Sequence, residues 1–297
     1  MGRSRGARAE TAWRFLTLAP SVLLFLLLTA LPVAGLLAMS LTYITWVQGR
    51  AQWSFAGLAH FRELATDGLF RVGVGNTFLF AVAAVSAEML LGFALALLVS
   101  QAKWGQLAYR TVFLLPVLVP GIVIGAMWKL MYNFDFGIIN QALEPLGLPA
   151  QDWLGSRATA LASVILVDIW HWTPFCFLLL LAGLQSLPTD VHEAARIDGA
   201  NWWQGLRHVT IPLMIPTILV TLMFRVIVAF KVFDEVYLLT GGGPGTATEV
   251  VSFSIYRRFF TQDRAGYGSA MSVVVLFILA LAVILAMGLA RRRNADS

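Results

Sequence analysis

The residues of this chain that could do chemistry are concentrated in one short run, Asp168 to Phe175, inside a long apolar segment. Asp168 and His171 are three residues apart, which places them on one face of a helix and would suit a metal site or an acid–base pair. No third ligand or clustered catalytic set accompanies them, so the sequence predicts neither metal binding nor hydrolytic chemistry.

The same run also suits sugar recognition. Indole rings stack on the C–H faces of a sugar, and side-chain dipoles bind its hydroxyl groups. Pro174 is expected to kink the helix, and irregular backbone at membrane depth is tolerated where it is buried or lines a cavity. Helix packing with an aromatic belt would account for these residues as well.

Five charged residues lie within or at the edge of apolar segments: Glu88, Lys129, Asp168, Arg225 and Lys231. A charge at membrane depth costs about 2.5–3.5 kcal/mol on insertion scales, so it usually faces a cavity or a partner. Lys129 and Lys231 are close enough to segment ends to reach the interface. Asp168 and Arg225 lie deeper, and the sequence leaves open whether they pair or contact a solute.

A second candidate site is the polar segment 184–210, which separates two long apolar runs. Pro188 and Asp190 are typical of a helix start, with Ser186 as the candidate N-cap. Gly199 is placed to end that helix in a left-handed turn. This first helix is therefore expected to run from Val191 to Asp198.

The remainder of the segment predicts a second short helix, Trp202 to His208, before Pro212 opens the next apolar run. The segment as a whole is expected to form a helix–turn–helix hairpin. Such a hairpin could dock a soluble partner or lie flat on the bilayer surface, and the spacing alone favours neither.

The elements that must position these sites are six apolar runs, each long enough to cross a bilayer about 30 Å thick. They cover residues 15–40, 76–100, 111–132, 158–183, 211–233 and 268–289. With 59% hydrophobic and only 12% charged residues, the chain is predicted to be an all-α polytopic membrane protein. One membrane domain, 15–289, lies between a short amino-terminal segment, 1–14, and a tail, 290–297. The first run is too long for a cleaved signal peptide and is expected to be retained.

Orientation follows from the connecting segments. Taken together, 1–14, 101–110, 184–210 and the tail contain 11 Lys and Arg against 5 Asp and Glu, whereas the other connections together contain 7 against 9. The positive-inside rule therefore places both termini and the polar segment in the cytoplasm. On the outer side, the amphipathic stretch 57–64 predicts a short interfacial helix.

Several functions are excluded by the sequence. The glycine-rich run 240–245 lacks the lysine of a phosphate-binding loop and is expected on the outer side, so the chain is not expected to hydrolyse ATP. Basic residues flank apolar runs instead of forming one patch, which argues against nucleic-acid binding. Cys176 is the only cysteine, so no intramolecular disulfide is expected. Gly121 and Gly125 form a G-x-x-x-G face suited to close helix packing.

Several segments carry a family resemblance. The polar segment contains E-A-A-x-x-x-G, followed by an I-P element. Further matching segments are L-P-V-L-V-P at 115–120, F-G-I-I-N at 136–140 and L-T-G-G-G-P at 239–244. Together they resemble the membrane subunits of bacterial ABC importers, in particular the maltose-permease-like branch for carbohydrate uptake. The resemblance extends from about Gly57 to the end of the chain.

This resemblance implies a type I ABC importer permease fold in which the polar segment is a coupling helix docked in a cleft of an ATPase subunit. Glu193 would be the electrostatic anchor, because a charge-assisted contact fixes register at a moving joint. Gly199 would form the turn. The residues assigned to coupling are Glu193, Ala194, Ala195, Asp198, Gly199 and Trp202.

The resemblance also implies where the solute passes. In the family, sugar contacts come from the kinked fourth span and from the span that follows it. The corresponding residues here are His171, Trp172, Phe175, Arg225, Ala229 and Val232. Asp168, as a charge at membrane depth, is assigned to the same pathway. Arg225 stands where the maltose permease has a small hydroxyl side chain, so the resemblance locates the site without naming the sugar.

The implied function is ATP-driven sugar import across the bacterial cytoplasmic membrane by alternating access. The expected partners are a second permease subunit, two cytoplasmic ATPase subunits and an extracytoplasmic solute-binding protein. ATP and Mg would be bound by the ATPase, with no cofactor in this chain. An importer of glycerol-3-phosphate or a polyol is the first alternative. A membrane enzyme would need a clustered catalytic set, and a channel would need no docking hairpin.

Overall fold

The computed structural model describes residues 3–102 and 105–295. These residues divide into two compact units. One contains the described residues up to Asp67 together with Ile255–Ile278, and the other contains Gly68–Ser254 and the described residues from Leu279 onward. Among the described residues, five helices are long and apolar enough to cross a membrane, and a bent helix pair supplies a sixth span if it is counted as one.

In the first unit, helix α1 (Arg3–Ser40) leads into a two-stranded antiparallel hairpin, β1 (Thr42–Val47) and β2 (Arg50–Phe55). The sequence analysis did not predict this hairpin. Its two-residue loop, Gln48–Gly49, has positive φ at both positions, the conformation that matches strand twist in tight hairpins. Helix α2 (Ala59–Thr66) follows and confirms the short helix predicted at 57–64.

The helices of the second unit carry both candidate sites. They are α3 (Gly68–Ser100), α4 (Gln106–Leu118), α5 (Gly121–Met131), α6 (Ile138–Leu143), α7 (Ala160–Gln185), α8 (Thr189–Ile197), α9 (Trp202–Gly205), α10 (Ile211–Ala229) and α11 (Asp234–Leu239). Helices α12 (Val251–Tyr256) and α13 (Ala265–Ala295) complete the described chain. The predicted terminal segments 1–14 and 290–297 include residues 1–2 and 296–297, which lie outside the described residues.

The predicted third span, 111–132, is not one straight helix. Helices α4 and α5 meet at a bend of 90°. The break lies at Val119 and Pro120, where Val119 is extended (φ −84°, ψ 128°). A residue before proline is sterically excluded from the helical region, and proline has no N–H to continue the ladder, so the helix ends there.

The predicted boundary at Pro212 is also corrected. The chain is helical without interruption from Trp202 to Ala229, because a wider π turn, Leu206–Thr210, joins α9 to α10. The π turn lies directly before Pro212, whose missing N–H interrupts regular hydrogen bonding. The second span begins earlier than predicted, at Gly68 instead of Asn76.

Close packing between helices depends on small residues. A Cβ atom on Gly92 of α3 would lie 2.8 Å from Cys176 Cβ on α7, so glycine lets these two helices approach. Cys176 itself is fully buried, as expected of a small hydrophobic residue. The G-x-x-x-G face packs against α11, where a Cβ on Gly125 would lie 2.9 Å from Leu238 Cβ. That packing prediction is confirmed.

Candidate functional site

Three helices meet at a buried cluster of charges that we call the ion cluster: Glu88 on α3, Asp168 on α7 and Arg225 on α10. Arg225 Nε donates to Glu88 Oε2 (2.5 Å), and its Nη2 donates to Glu88 Oε1 (2.7 Å). The same Nη2 donates to Asp168 Oδ2 (2.9 Å). The Glu88 and Arg225 side chains are 0% exposed. Asp168 and Arg225 therefore pair, with Glu88 as an additional partner.

Aromatic residues extend this cluster along α7. The Arg225 guanidinium carbon lies 4.7 Å from the centre of the Trp172 ring, a cation–π contact. His171 and Trp172 have ring centres 5.0 Å apart. Phe175 packs on Trp172 and, at 4.7 Å between centres, on Phe224 of α10.

A cavity of about 420 Å³ opens beside these residues, and we call it the α7 cavity. Its volume lies within the range of about 300–1,000 Å³ that is typical of small-molecule sites. The residues that line it are Gly121, Asp168, His171, Trp172, Val228, Lys231, Val232, Phe233, Asp234 and Glu235. Four of the predicted pathway residues are therefore brought together here: Asp168, His171, Trp172 and Val232.

The other three predicted pathway residues do not line the cavity. Arg225 lies behind the wall because its guanidinium is bound by Glu88 and Asp168. Ala229 is 1% exposed and belongs to the apolar core. Phe175 packs against Phe224.

The cavity also contains residues that the sequence analysis did not assign to it. His171 Nδ1 lies 3.4 Å from Glu235 Oε1, and both side chains are buried. Asp234 and Glu235 occupy the first turn of α11, where acidic residues complement the positive end of a helix. That first-turn pattern was visible in the sequence, but only the fold shows that α11 turns back toward α7.

The charges around the cavity are mainly negative. Asp168, Glu235 and Asp234 line it, whereas Lys231 is the only lysine or arginine among its described lining residues. Arg225 adds little positive charge at the wall, because it faces two carboxylates at hydrogen-bond distance. The wall thus combines aromatic rings with hydrogen-bond acceptors.

The polar segment folds as the predicted hairpin, which we call the polar hairpin (residues 187–210). Helix α8 ends at Ile197 and is followed by Gly199, whose φ of 80° is left-handed. Gly199 N donates to Arg196 O (3.1 Å) and Ala200 N donates to Ala195 O (2.9 Å), the two bonds of a Schellman motif. The glycine turn is confirmed.

The helix starts in the hairpin differ from the prediction. Pro188 is the N-cap of α8 and provides no side-chain cap. The predicted cap, Ser186, instead ends α7, where its Oγ donates to Gly183 O (2.7 Å). The strong cap in the hairpin is Asn201, whose Oδ1 accepts from Gln204 N (3.0 Å) while Gln204 Oε1 accepts from Asn201 N (2.8 Å). This reciprocal capping box was readable from the Asn-x-x-Gln spacing but was missed.

Comparison with known families identifies the kind of protein that contains the α7 cavity and the polar hairpin. The family model for the binding-protein-dependent transport system inner membrane component matches residues 88–294. The chain belongs to this family. It is therefore a membrane-embedded permease subunit of an ABC importer and not an enzyme.

Individual relatives agree over most of the chain. This permease is 36% identical to the trehalose/maltose transport system permease protein MalF of Thermococcus litoralis, covering 92% of this chain and 91% of the relative. It is 32% identical to the trehalose transport system permease protein SugA of Mycobacterium tuberculosis, covering 94% and 89%.

The fold agrees with a solved structure. A chain of a bacterial ABC transporter involved in the import of the acidic polysaccharide alginate superimposes with a TM-score of 0.83 at 24% identity, covering 98% of this permease and 99% of that chain. The match confirms the predicted importer permease fold. The family match and the long apolar helices agree with a multi-pass inner-membrane protein.

One face of the polar hairpin is exposed, and we call it the free face. Glu193, Ala194, Asp198 and Gly199 are exposed. Ala195 is half-buried, and with Trp202 it lines a groove of about 410 Å³ against the ends of α3 and α7. The predicted coupling residues therefore divide into four on the free face and two on the groove side.

The two arms of the polar hairpin contact each other. His192 Nε2 lies 3.2 Å from Thr210 Oγ1, which joins α8 to the π turn before α10. Apolar side chains remain uncovered, with Ile197 85% and Trp203 70% exposed. Exposed aromatic side chains are typical both of protein-binding surfaces and of the membrane–water interface.

Proposed function

We propose that this permease subunit carries a sugar, or a similar uncharged polyhydroxylated solute, through the α7 cavity. The observation that carries the proposal is the cavity wall, where the Trp172 ring lies beside His171, Asp168 and Glu235. An aromatic face with several hydrogen-bond acceptors suits a solute made of C–H faces and hydroxyl groups. Two relatives, a trehalose/maltose permease and a trehalose permease, support the same solute class.

The charge of the wall favours an uncharged solute over an anionic one. Arg225 was the residue that suggested glycerol-3-phosphate, yet it is fully buried in the ion cluster. A phosphate in the cavity would meet the carboxylates of Asp168, Asp234 and Glu235, with Lys231 as the counter-charge. Like charges at close range repel, so the anionic alternative is disfavoured.

We further propose that the polar hairpin couples the permease to a separate ATPase. Glu193 is exposed on the free face and would pair with a basic side chain of the ATPase cleft. Gly199 and the capping box at Asn201 fix the shape of the hairpin, and α7 and α10 extend directly from it. A displacement of the hairpin would therefore reach two of the helices that border the α7 cavity.

The proposed assembly contains this chain, a second similar permease subunit, two ATPase subunits and an extracytoplasmic solute-binding protein. The family description, which names binding-protein-dependent transport, supports the last partner. Closure of the ATPases would open the bundle outward to receive solute, and hydrolysis would return it to the inward-facing state. ATP and Mg would remain in the ATPase.

The test is solute uptake by the complete importer reconstituted in vesicles with ATP inside. Radiolabelled trehalose, maltose and glycerol-3-phosphate are compared for wild type and for Trp172→Ala. We expect uptake of at least one saccharide, none of glycerol-3-phosphate, and strong loss of saccharide uptake in Trp172→Ala.

The control is Phe78→Ala, which removes an aromatic ring that is 62% exposed on α3 and lies outside the cavity lining. It is expected to keep normal uptake. Uptake of glycerol-3-phosphate with no uptake of either saccharide would contradict the proposed solute class. Normal saccharide uptake by Trp172→Ala would contradict the proposed site.

A further inference from the structure

We infer that Glu88 and Arg225 form a positioning pair behind the wall of the α7 cavity, which holds Asp168 and Trp172 in the orientation that meets the solute. The inference rests on the proposed function, because it needs Asp168 and Trp172 to contact the solute. It assigns Arg225 a different role from the direct contact expected from its position on the fifth span.

Arg225 lies behind the wall of the α7 cavity. Its side chain is 0% exposed, and it does not line the cavity that its neighbours line. Two parallel hydrogen bonds from Nε and Nη2 to Glu88 fix the plane of its guanidinium. A bidentate arginine–carboxylate pair has a defined geometry, unlike a single ammonium contact.

The fixed guanidinium of Arg225 contacts two wall residues at once. Nη2 donates to Asp168 Oδ2 at 2.9 Å, and the Trp172 ring centre lies 4.7 Å from the guanidinium carbon. Asp168 and Trp172 are four residues apart, so they lie on one face of α7. One side chain therefore sets both the hydrogen-bond acceptor and the aromatic ring of the wall.

Glu88 is held in place by the packing of its helix, independently of the solute. Helix α3 packs along α7, and Gly92, one turn after Glu88, comes so close that a Cβ there would lie 2.9 Å from the Phe177 amide nitrogen. Helix α3 therefore positions Glu88, Glu88 positions Arg225, and Arg225 positions the wall residues Asp168 and Trp172.

Stability alone does not explain the cluster. Replacing a buried ion pair with apolar side chains of similar volume is often neutral or stabilising for a fold. Burying charges in a membrane helix bundle is also costly in itself. A geometric role, in contrast, requires the fork of arginine and the two oxygens of glutamate.

The test uses the double variant Glu88→Met/Arg225→Met in the reconstituted importer, with a saturating concentration of loaded binding protein. Because both charges of the pair are removed together, neither Glu88 nor Arg225 is left buried without the other. Asp168 loses its hydrogen bond from Arg225 but lines the cavity. We expect the variant to assemble, and the number of sugar molecules imported per ATP hydrolysed to fall on the order of tenfold, by analogy with metal sites, where removing a group that orients a ligand costs about 10–100-fold.

A second measurement separates positioning from packing. If the pair acts through the wall, adding Trp172→Ala to the double variant lowers the import ratio no further, because coupled residues are not additive. The matched packing control is Val164→Ala, one turn before Asp168 and fully buried in the core. It removes packing contacts without touching the charges, and is expected to lower thermal stability but keep the import ratio.

An unchanged import ratio in the double variant, with Trp172→Ala impaired, would overturn the inference and leave the proposed function intact. If the import ratio is also unchanged in Trp172→Ala and in Asp168→Asn, the proposed solute site in the α7 cavity is contradicted. If the double variant fails to assemble, Arg225→Lys replaces it, since lysine keeps the charge but cannot form the fork. Assembly with reduced import in Arg225→Lys supports the inference, and normal import overturns it.

Discussion

The ion cluster and the polar hairpin are held by opposite kinds of contact. In the cluster, Arg225 binds residues that are 137 and 57 positions away in the sequence, and the side chains of the Glu88–Arg225 pair are fully buried. In the hairpin, the shape is set by bonds between residues three to five positions apart, on a largely exposed surface. Damage to the cluster should therefore reduce the amount of folded protein, whereas damage to the hairpin should leave folding largely intact and impair coupling.

The largest loss of folded protein is expected when Arg225, the cation of the ion cluster, is replaced alone. Arg225→Met leaves Glu88 and Asp168 buried close together without their cation. Breaking a buried pair in this way typically costs about 3–5 kcal/mol, so we expect little folded permease in the membrane. Membrane-fraction yield and thermal melting of purified protein provide the measurement. A wild-type yield would show that the cluster is not a determinant of folding.

A smaller effect is expected at the turn of the polar hairpin. Gly199→Ala places a Cβ at φ 80°, which costs about 1–2 kcal/mol although, among the described residues other than its chain neighbours, no atom lies within 4 Å of that Cβ. We expect normal membrane yield but a clear loss of uptake, because the exposed face of α8 shifts. The matched control is Gly205→Ala, also with no atom within 4 Å but in a helical conformation, where alanine is tolerated. Equal uptake by the two variants would refute the role of the turn.

The smallest effect is expected at the cap of the second hairpin helix. Asn201→Ala removes the oxygen that accepts from Gln204 N, a loss of typically about 1 kcal/mol. We expect uptake to fall modestly and hydrogen exchange to increase only in residues 201–206. Asn201→Ser retains a capping oxygen and should behave like wild type. Faster exchange across α7 as well would contradict the local character of the hairpin.

This contrast also explains what could be predicted from the sequence. The hairpin turn at Gly199 and the short helix α2 follow from local residue patterns and are present in the structure. The apolar runs identified the long helices, although the chemistry of Pro120 divides the third one and the π turn before Pro212 joins α9 to α10.

The cavity could be predicted only in part, because its wall depends on contacts between distant helices. Asp168 and Arg225 were singled out as deep charges, but nothing local shows that Glu88 completes their cluster. Glu235 reaches His171 because α11 turns back, with Leu238 packed at Gly125, which is a property of the fold. The hairpin β1–β2 and the Asn201 cap, in contrast, had local signals that were missed.

The central claim is that this permease is moved by a separate ATPase through Glu193. It is tested most directly by sugar uptake and ATP hydrolysis in the reconstituted importer with Glu193→Lys. Glu144→Lys, the same charge change at another exposed glutamate outside the hairpin, is the control. Because Glu193 is exposed, membrane insertion should be normal in both variants. We predict that Glu193→Lys uncouples ATP hydrolysis from uptake, reducing uptake to background, while Glu144→Lys transports normally. Wild-type uptake by Glu193→Lys would contradict the account.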